Sequence, residues 1–165
     1  MLKFLHLFGH YYLGLSFVGL AAFVIQEIPY MVMPLIKLRS NPIMNMQGGN
    51  RFLETAQGIL GVLSMILLML IVMDDIAVFP LATSREILFF ALTVLMIMIN
   101  FAGWAFYYTG HQYGLLIVLT QFAAVPLYYL FFGLWQQNYL LAASSVPFFI
   151  IHTVNGYINF VVVKQ

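Results

Sequence analysis

The feature that most constrains this chain is a succession of nearly uninterrupted apolar runs, each about twenty residues long, separated by short polar breaks. Such a run matches the roughly 20 helical residues that cross about 30 Å of hydrocarbon. Hydrocarbon offers no water to backbone N–H and C=O groups, so a run of this kind closes its own hydrogen bonds as a helix. Charged residues make up only 7% of the 165, against about 25% in soluble domains, too few to cover a water-facing surface. The expected fold is an all-α, polytopic transmembrane helix bundle of about five spans, one domain over residues 1–165, with the lipid bilayer as its surroundings. Function is then expected within the helices or on their short connections.

The runs place the spans at about Phe4–Gln26, with an apolar continuation to Ile36, and at about Glu54–Met73, Glu86–Tyr108, Tyr113–Leu134 and Tyr139–Val163. Met1-Leu2-Lys3 resembles the start of a signal peptide, but His6 and His10 interrupt the run and no small-residue cleavage site follows, so the segment is read as a retained first helix. Arg39-Ser40-Asn41-Pro42 and Gln47-Gly48-Gly49-Asn50 carry turn signals in the longest polar loop. Thr83-Ser84-Arg85-Glu86 has the pattern of a capping box opening the third span. Thr109–Gln112 and Trp135–Asn138 are short links, which make consecutive helices antiparallel neighbours. Lys37, Arg39, Arg51 and Lys164 fall at one end of the spans, and Lys3 and Arg85 with Asp74 and Asp75 at the other. Basic residues in short loops favour the cytoplasm, which predicts the N-terminus outside and the C-terminus inside.

Polar residues within a span usually face the bundle interior or a cavity. Asn100, Trp104, Tyr107 and His111 recur at intervals of four, three and four, one face of the third helix. Ser145, His152, Asn155 and Asn159 form a stripe on the fifth, and Thr120 and Gln121 interrupt the fourth. At about 1.5 Å per residue, Asn100 lies roughly 20 Å and His152 roughly 18–20 Å from the starts of their spans. Gln121, on an opposed helix, lies roughly 18 Å from the same face. Asn100, Gln121 and His152 are therefore expected in one layer near the midplane, walled by Trp104, Tyr107 and Asn155. Such a layer suits a pocket that orients a small polar molecule or passes a proton through His152. It also suits plain helix–helix bonding, since Asn, Gln, Ser and His often bond across helices in membranes.

Gln26-Glu27 sits between the apolar run ending at Ile25 and the segment Ile28–Ile36, which contains Pro29 and Pro34. Three geometries fit: a tilted, kinked span, an interfacial segment with Glu27 at the membrane edge, or a broken helix with Glu27 lining a cavity. His6 and His10, four apart, share one face of a first helix and can approach one metal ion, but no metal motif surrounds them. Asp74-Asp75 closes the second helix, where acidic residues oppose the helix dipole and mark the return to water. Either can pair with Arg85. Tyr11 and Tyr128 lie deep enough that their hydroxyls need partners.

The absence of cysteine excludes disulfides and thiol chemistry, and no cationic stripe suggests nucleic acid. No nucleophile–base–acid constellation, phosphate-binding glycine loop or HExxH motif occurs, and no cofactor or catalytic residue can be named. In size and span count the chain resembles small bacterial membrane proteins, including the substrate-binding subunits of energy-coupling vitamin transporters. That resemblance is architectural, with five expected spans instead of six and no shared motif. It implies a multi-pass protein of the bacterial cytoplasmic membrane. The leading expectation is binding and translocation of a small molecule or ion through Asn100, Gln121 and His152, with Glu27, Trp104, Tyr107 and Asn155 shaping the site. The alternatives are a structural or regulatory subunit of a membrane complex or homo-oligomer, and an intramembrane redox or isomerase enzyme using His152 and Glu27 as acid and base.

Overall fold

The computed structural model describes residues 1–38, 40–44, 50–74 and 76–162. Arg39, Asp75, Lys164 and the Gln47-Gly48-Gly49 turn lie outside the described residues, as does Val163 at the expected end of the last span. Five helices are long and apolar enough to cross a membrane: α1 (Phe17–Leu35, its last turn 3-10), α2 (Arg51–Leu70), α3 (Ser84–Tyr108), α4 (Gly114–Trp135) and α5 (Tyr139–Val162). At about 1.5 Å per residue they measure about 28 to 38 Å, enough to cover the hydrocarbon core.

Local chemistry fixes where the helices begin and end. The first N–H groups of a helix have no intrahelical partner, and a polar side chain just before the helix supplies one. Ser16 Oγ accepts from Gly19 N at 3.0 Å, Asn50 Oδ1 from Phe52 N at 2.9 Å and Asn138 Oδ1 from Leu141 N at 3.2 Å. The predicted capping box is present: Thr83 Oγ1 accepts from Glu86 N at 3.2 Å, and Glu86 Oε2 from Thr83 N at 2.9 Å. After α3 the chain turns at Gly110, whose φ of +91° suits a residue without a Cβ.

The N-terminal segment corrects the expected first span. Residues 4–15 are not helical: β1 (Leu2–Phe8) and β2 (Tyr11–Leu15) form an antiparallel hairpin, and β3 (Ile71–Met73) adds to β2 in the order β1-β2-β3. Gly9, at φ +52°, opens a tight turn between two segments rich in Phe and Tyr, which fit a pleated surface. A Cβ on Gly14 would lie 2.1 Å from the Leu2 carbonyl oxygen, so the close strand approach requires glycine there. His6 and His10 thus share no helix face. His6 lies on β1, its Nε2 3.0 Å from the Gly9 carbonyl, and His10 lies in the turn. The second span begins and ends three residues earlier than expected, and its end is set by the same sheet, since Ile71–Met73 pairs with Leu13–Tyr11. Asp74 therefore follows a strand instead of ending a helix. Its carboxylate pairs with Lys3, and Arg85 donates to the Tyr139 hydroxyl at 3.3 Å.

α4 is the central helix. Two thirds of its apolar window (67%) is buried, against 11% for α2, which lies at the periphery. α4 packs between α3 and α5, α2 packs on α5 and α1, and α1 meets α3 only lightly. The start of α1 is bolted to the end of α2, where Ser16 N donates to Met69 O at 2.8 Å. A Cβ on Gly19 would lie 2.0 Å from the Leu68 carbonyl oxygen.

Candidate functional site

The shifted start of α1 changes the place of Glu27. Counted from Phe17, Glu27 is ten residues in, about 15 Å along a helix that runs through Pro29 without a break as far as Val32. It therefore sits near the middle of α1, not at its edge. It lines a cleft of about 370 Å³ between α1, α2, α4 and α5.

Two hydrogen-bonded pairs furnish that cleft. Tyr129 on α4 donates its hydroxyl to Gln26 Oε1 at 2.9 Å. His152 Nδ1 on α5 lies 2.9 Å from Gln57 Oε1 on α2. With an amide oxygen as acceptor, Nδ1 carries the proton, and Nε2 of the neutral ring is left as an acceptor. The imidazole is held between aromatic rings, 4.6 Å from Phe122 and 4.9 Å from Phe148. The α2 wall includes two glycines, Gly58 and Gly61, and Gly58 leaves space unfilled: a Cβ there would meet nothing within 4 Å. Gly58 and Val62 are exposed at the rim, so the cleft opens sideways from the bundle.

The expected midplane layer divides in two. Asn100 and Gln121 do meet, as Asn100 Nδ2 donates to Gln121 Oε1 and to the Thr120 carbonyl, both at 2.9 Å. That carbonyl is available because α4 makes a π-helical turn over Val118–Ala123, in which the Ala124 amide bonds Leu119 O, five residues back. Gly103 closes this contact, since a Cβ there would lie 2.1 Å from Thr120 Oγ1. His152 makes no hydrogen bond to either amide and belongs to the cleft instead. Phe122, next to Gln121 in the chain, carries the ring that meets it.

The other expected wall residues also separate. Trp104 is buried, with its ring 4.7 Å from Tyr30 and its Nε1 without a hydrogen-bond partner. Tyr107 anchors the connection after α1, donating to Asn41 Oδ1 at 2.7 Å and accepting from Ile43 N at 3.1 Å. Asn155 is fully buried and accepts from Asn159 Nδ2, one turn on, at 3.1 Å. Of the residues singled out from the sequence, the cleft gathers Glu27 and His152.

Gln26, Tyr129 and Gln57 were not singled out as site residues. Gln57 lies four residues before Gly61 and beside Gly58, and a polar residue next to two small ones on a helix face was the available signal. Tyr128 and Tyr108 complete the tethering of α1. Tyr128 donates to the Ala22 carbonyl at 3.0 Å, and Tyr108 to the Pro29 carbonyl. Comparison with family models, with curated proteins and with solved structures finds no match to this chain. The five apolar helices define the class as a membrane-embedded, multi-pass protein.

Proposed function

We propose that this protein binds a small amphipathic molecule in the cleft between α1, α2, α4 and α5 and carries it across the membrane. The observation that supports this reading is the position of Glu27: a carboxylate near the middle of an apolar helix, facing an open cleft instead of a packed interface. Ionisable groups inside membrane spans are costly and mark ligand or ion pathways. Polar groups around the cleft, Gln57–His152 and Gln26–Tyr129, supply donors and acceptors for the head of a bound molecule, while Val62, Met65 and Phe148 supply apolar contact. In this reading the end carrying Lys37 and Arg51 faces the cytoplasm.

Native mass spectrometry of the gently purified protein tests the reading. Wild type is expected to retain a discrete mass that Gly58→Phe, which fills the cleft, removes without loss of folded protein. A mass that persists in folded Gly58→Phe, or a chain that retains and binds nothing, overturns it.

One observation favours a second reading, a subunit of a larger assembly. β1 is an edge strand, all seven of its residues are exposed, and most are large and apolar. An open apolar edge is a template for another strand. Crosslinking of β1 to a co-purified chain is the result that supports this reading, and a monomer with no crosslinked partner overturns it.

A further inference from the structure

Resting on the cleft reading, we infer that the ligand is an organic cation with an apolar body, and that Glu27 is its counter-ion. Three observations converge on this class. Among the described residues that line the cleft, Glu27 is the one carboxylate and none is Lys or Arg. Among the described residues no Lys, Arg or His approaches Glu27 within ion-pair distance; the ion pair there is Lys3–Asp74, in the sheet. His152, the one titratable nitrogen side chain in the described cleft lining, has its Nδ1 engaged by Gln57 on α2. A carboxylate held away from bulk water is stabilised by an opposite charge, and none of the described residues brings one to it.

The walls fit the same class. Tyr30 and Tyr129 flank Glu27 in the cleft lining, and Phe148 lies beyond, its ring 6.2 Å from that of Tyr129. Aromatic faces attract cations through the ring quadrupole, most strongly where water is excluded. An anion would meet those same faces and the carboxylate with repulsion from both. The glycine wall of α2 leaves room for the apolar body, and the sideways opening past Gly58 and Val62 admits a molecule that partitions into lipid first. Charge selection thus rests on Glu27, and shape selection on the glycines.

The test uses two ions of the same size and shape and opposite charge, tetraphenylphosphonium and tetraphenylborate, with the full-length protein in lipid nanodiscs. Wild type is expected to bind the phosphonium at least tenfold more tightly than the borate. Glu27→Gln, which keeps the side-chain shape, is expected to weaken phosphonium binding at least tenfold and leave borate binding unchanged. Equal or tighter borate binding, or phosphonium binding unaffected by Glu27→Gln, overturns the cation assignment. If Gly58→Phe still abolishes that binding, the cleft reading stands without it. A retained native mass that is neutral or anionic has the same meaning. Binding of neither ion, together with no retained mass, overturns the assignment and the cleft reading together.

Discussion

Between α3 and α4, Asn100 and Gln121 meet with Gly103 pressed against them; between α1 and α2, Gln26 and Gln57 line a cleft of about 370 Å³. The same side chain, an amide on an apolar helix, serves both places. In the first, both ends of the interaction lie inside packed protein, Asn100 and Gln121 being 1% and 2% exposed. In the second, Gln26 is just as buried, at 2%, and it is the half-buried pair Gln57 and His152 that stands at the edge of unfilled space. The contrast shows that polarity within a span says little about function until the glycines are considered. Gly103 has no room for a methyl group, whereas a methyl group on Gly58 would meet nothing within 4 Å.

That contrast can be broken by substitution. The largest effect is expected at Gly103→Val, whose added atoms collide with Thr120 and Gln121. A loss of at least about 2–3 kcal/mol, or failure to fold, should appear in unfolding experiments in detergent micelles. A Gly103→Val protein as stable as wild type would show that α3 and α4 do not pack as described. Asn100→Leu should follow, at about 1–2 kcal/mol, because the Gln121 amide loses its partner in a buried site. The Asn100→Leu/Gln121→Leu double variant should recover part of that loss, and strict additivity of the two changes would argue against the bond. Tyr129→Phe should cost about 1 kcal/mol, since it leaves Gln26 Oε1 unpaired beside the cleft, and the readout is the same unfolding midpoint. Smallest, and opposite in sign, Gly58→Ala should stabilise by up to about 1 kcal/mol through helix propensity, because nothing stands in the way of its methyl group. Destabilisation by Gly58→Ala would mean that the cleft is closed.

Most of the helical frame was legible in the sequence. Continuous apolar length and short polar breaks located α3, α4 and α5 to within about two residues, and the Thr83–Glu86 box was readable as a cap. The hairpin was not read, because Leu2–Leu15 is as apolar as a span and hydropathy does not separate strand from helix. Its markers were Gly9-His10 between aromatic-rich runs and Gly14 beyond them. Missing it displaced the start of α1 by about a dozen residues, so Glu27 fell past the end of the expected span and three geometries stayed open for it. The pairing of Asn100 with Gln121 followed from depth alone, which is a one-dimensional quantity. Depth also placed His152 with them, but depth carries no bearing around the bundle axis, and His152 faces Gln57 across a different seam.

The sheet also sets an order of events. β1 and β2 can pair as soon as the first turn is made, but the partner for the other edge of β2, Ile71–Met73, is made only after all of α1 and α2. At roughly 5–20 residues per second, the nascent chain carries that open edge for several seconds. Closing it clasps the beginning of the first helix to the end of the second, so the sheet is a latch that biosynthesis can set only once both helices exist.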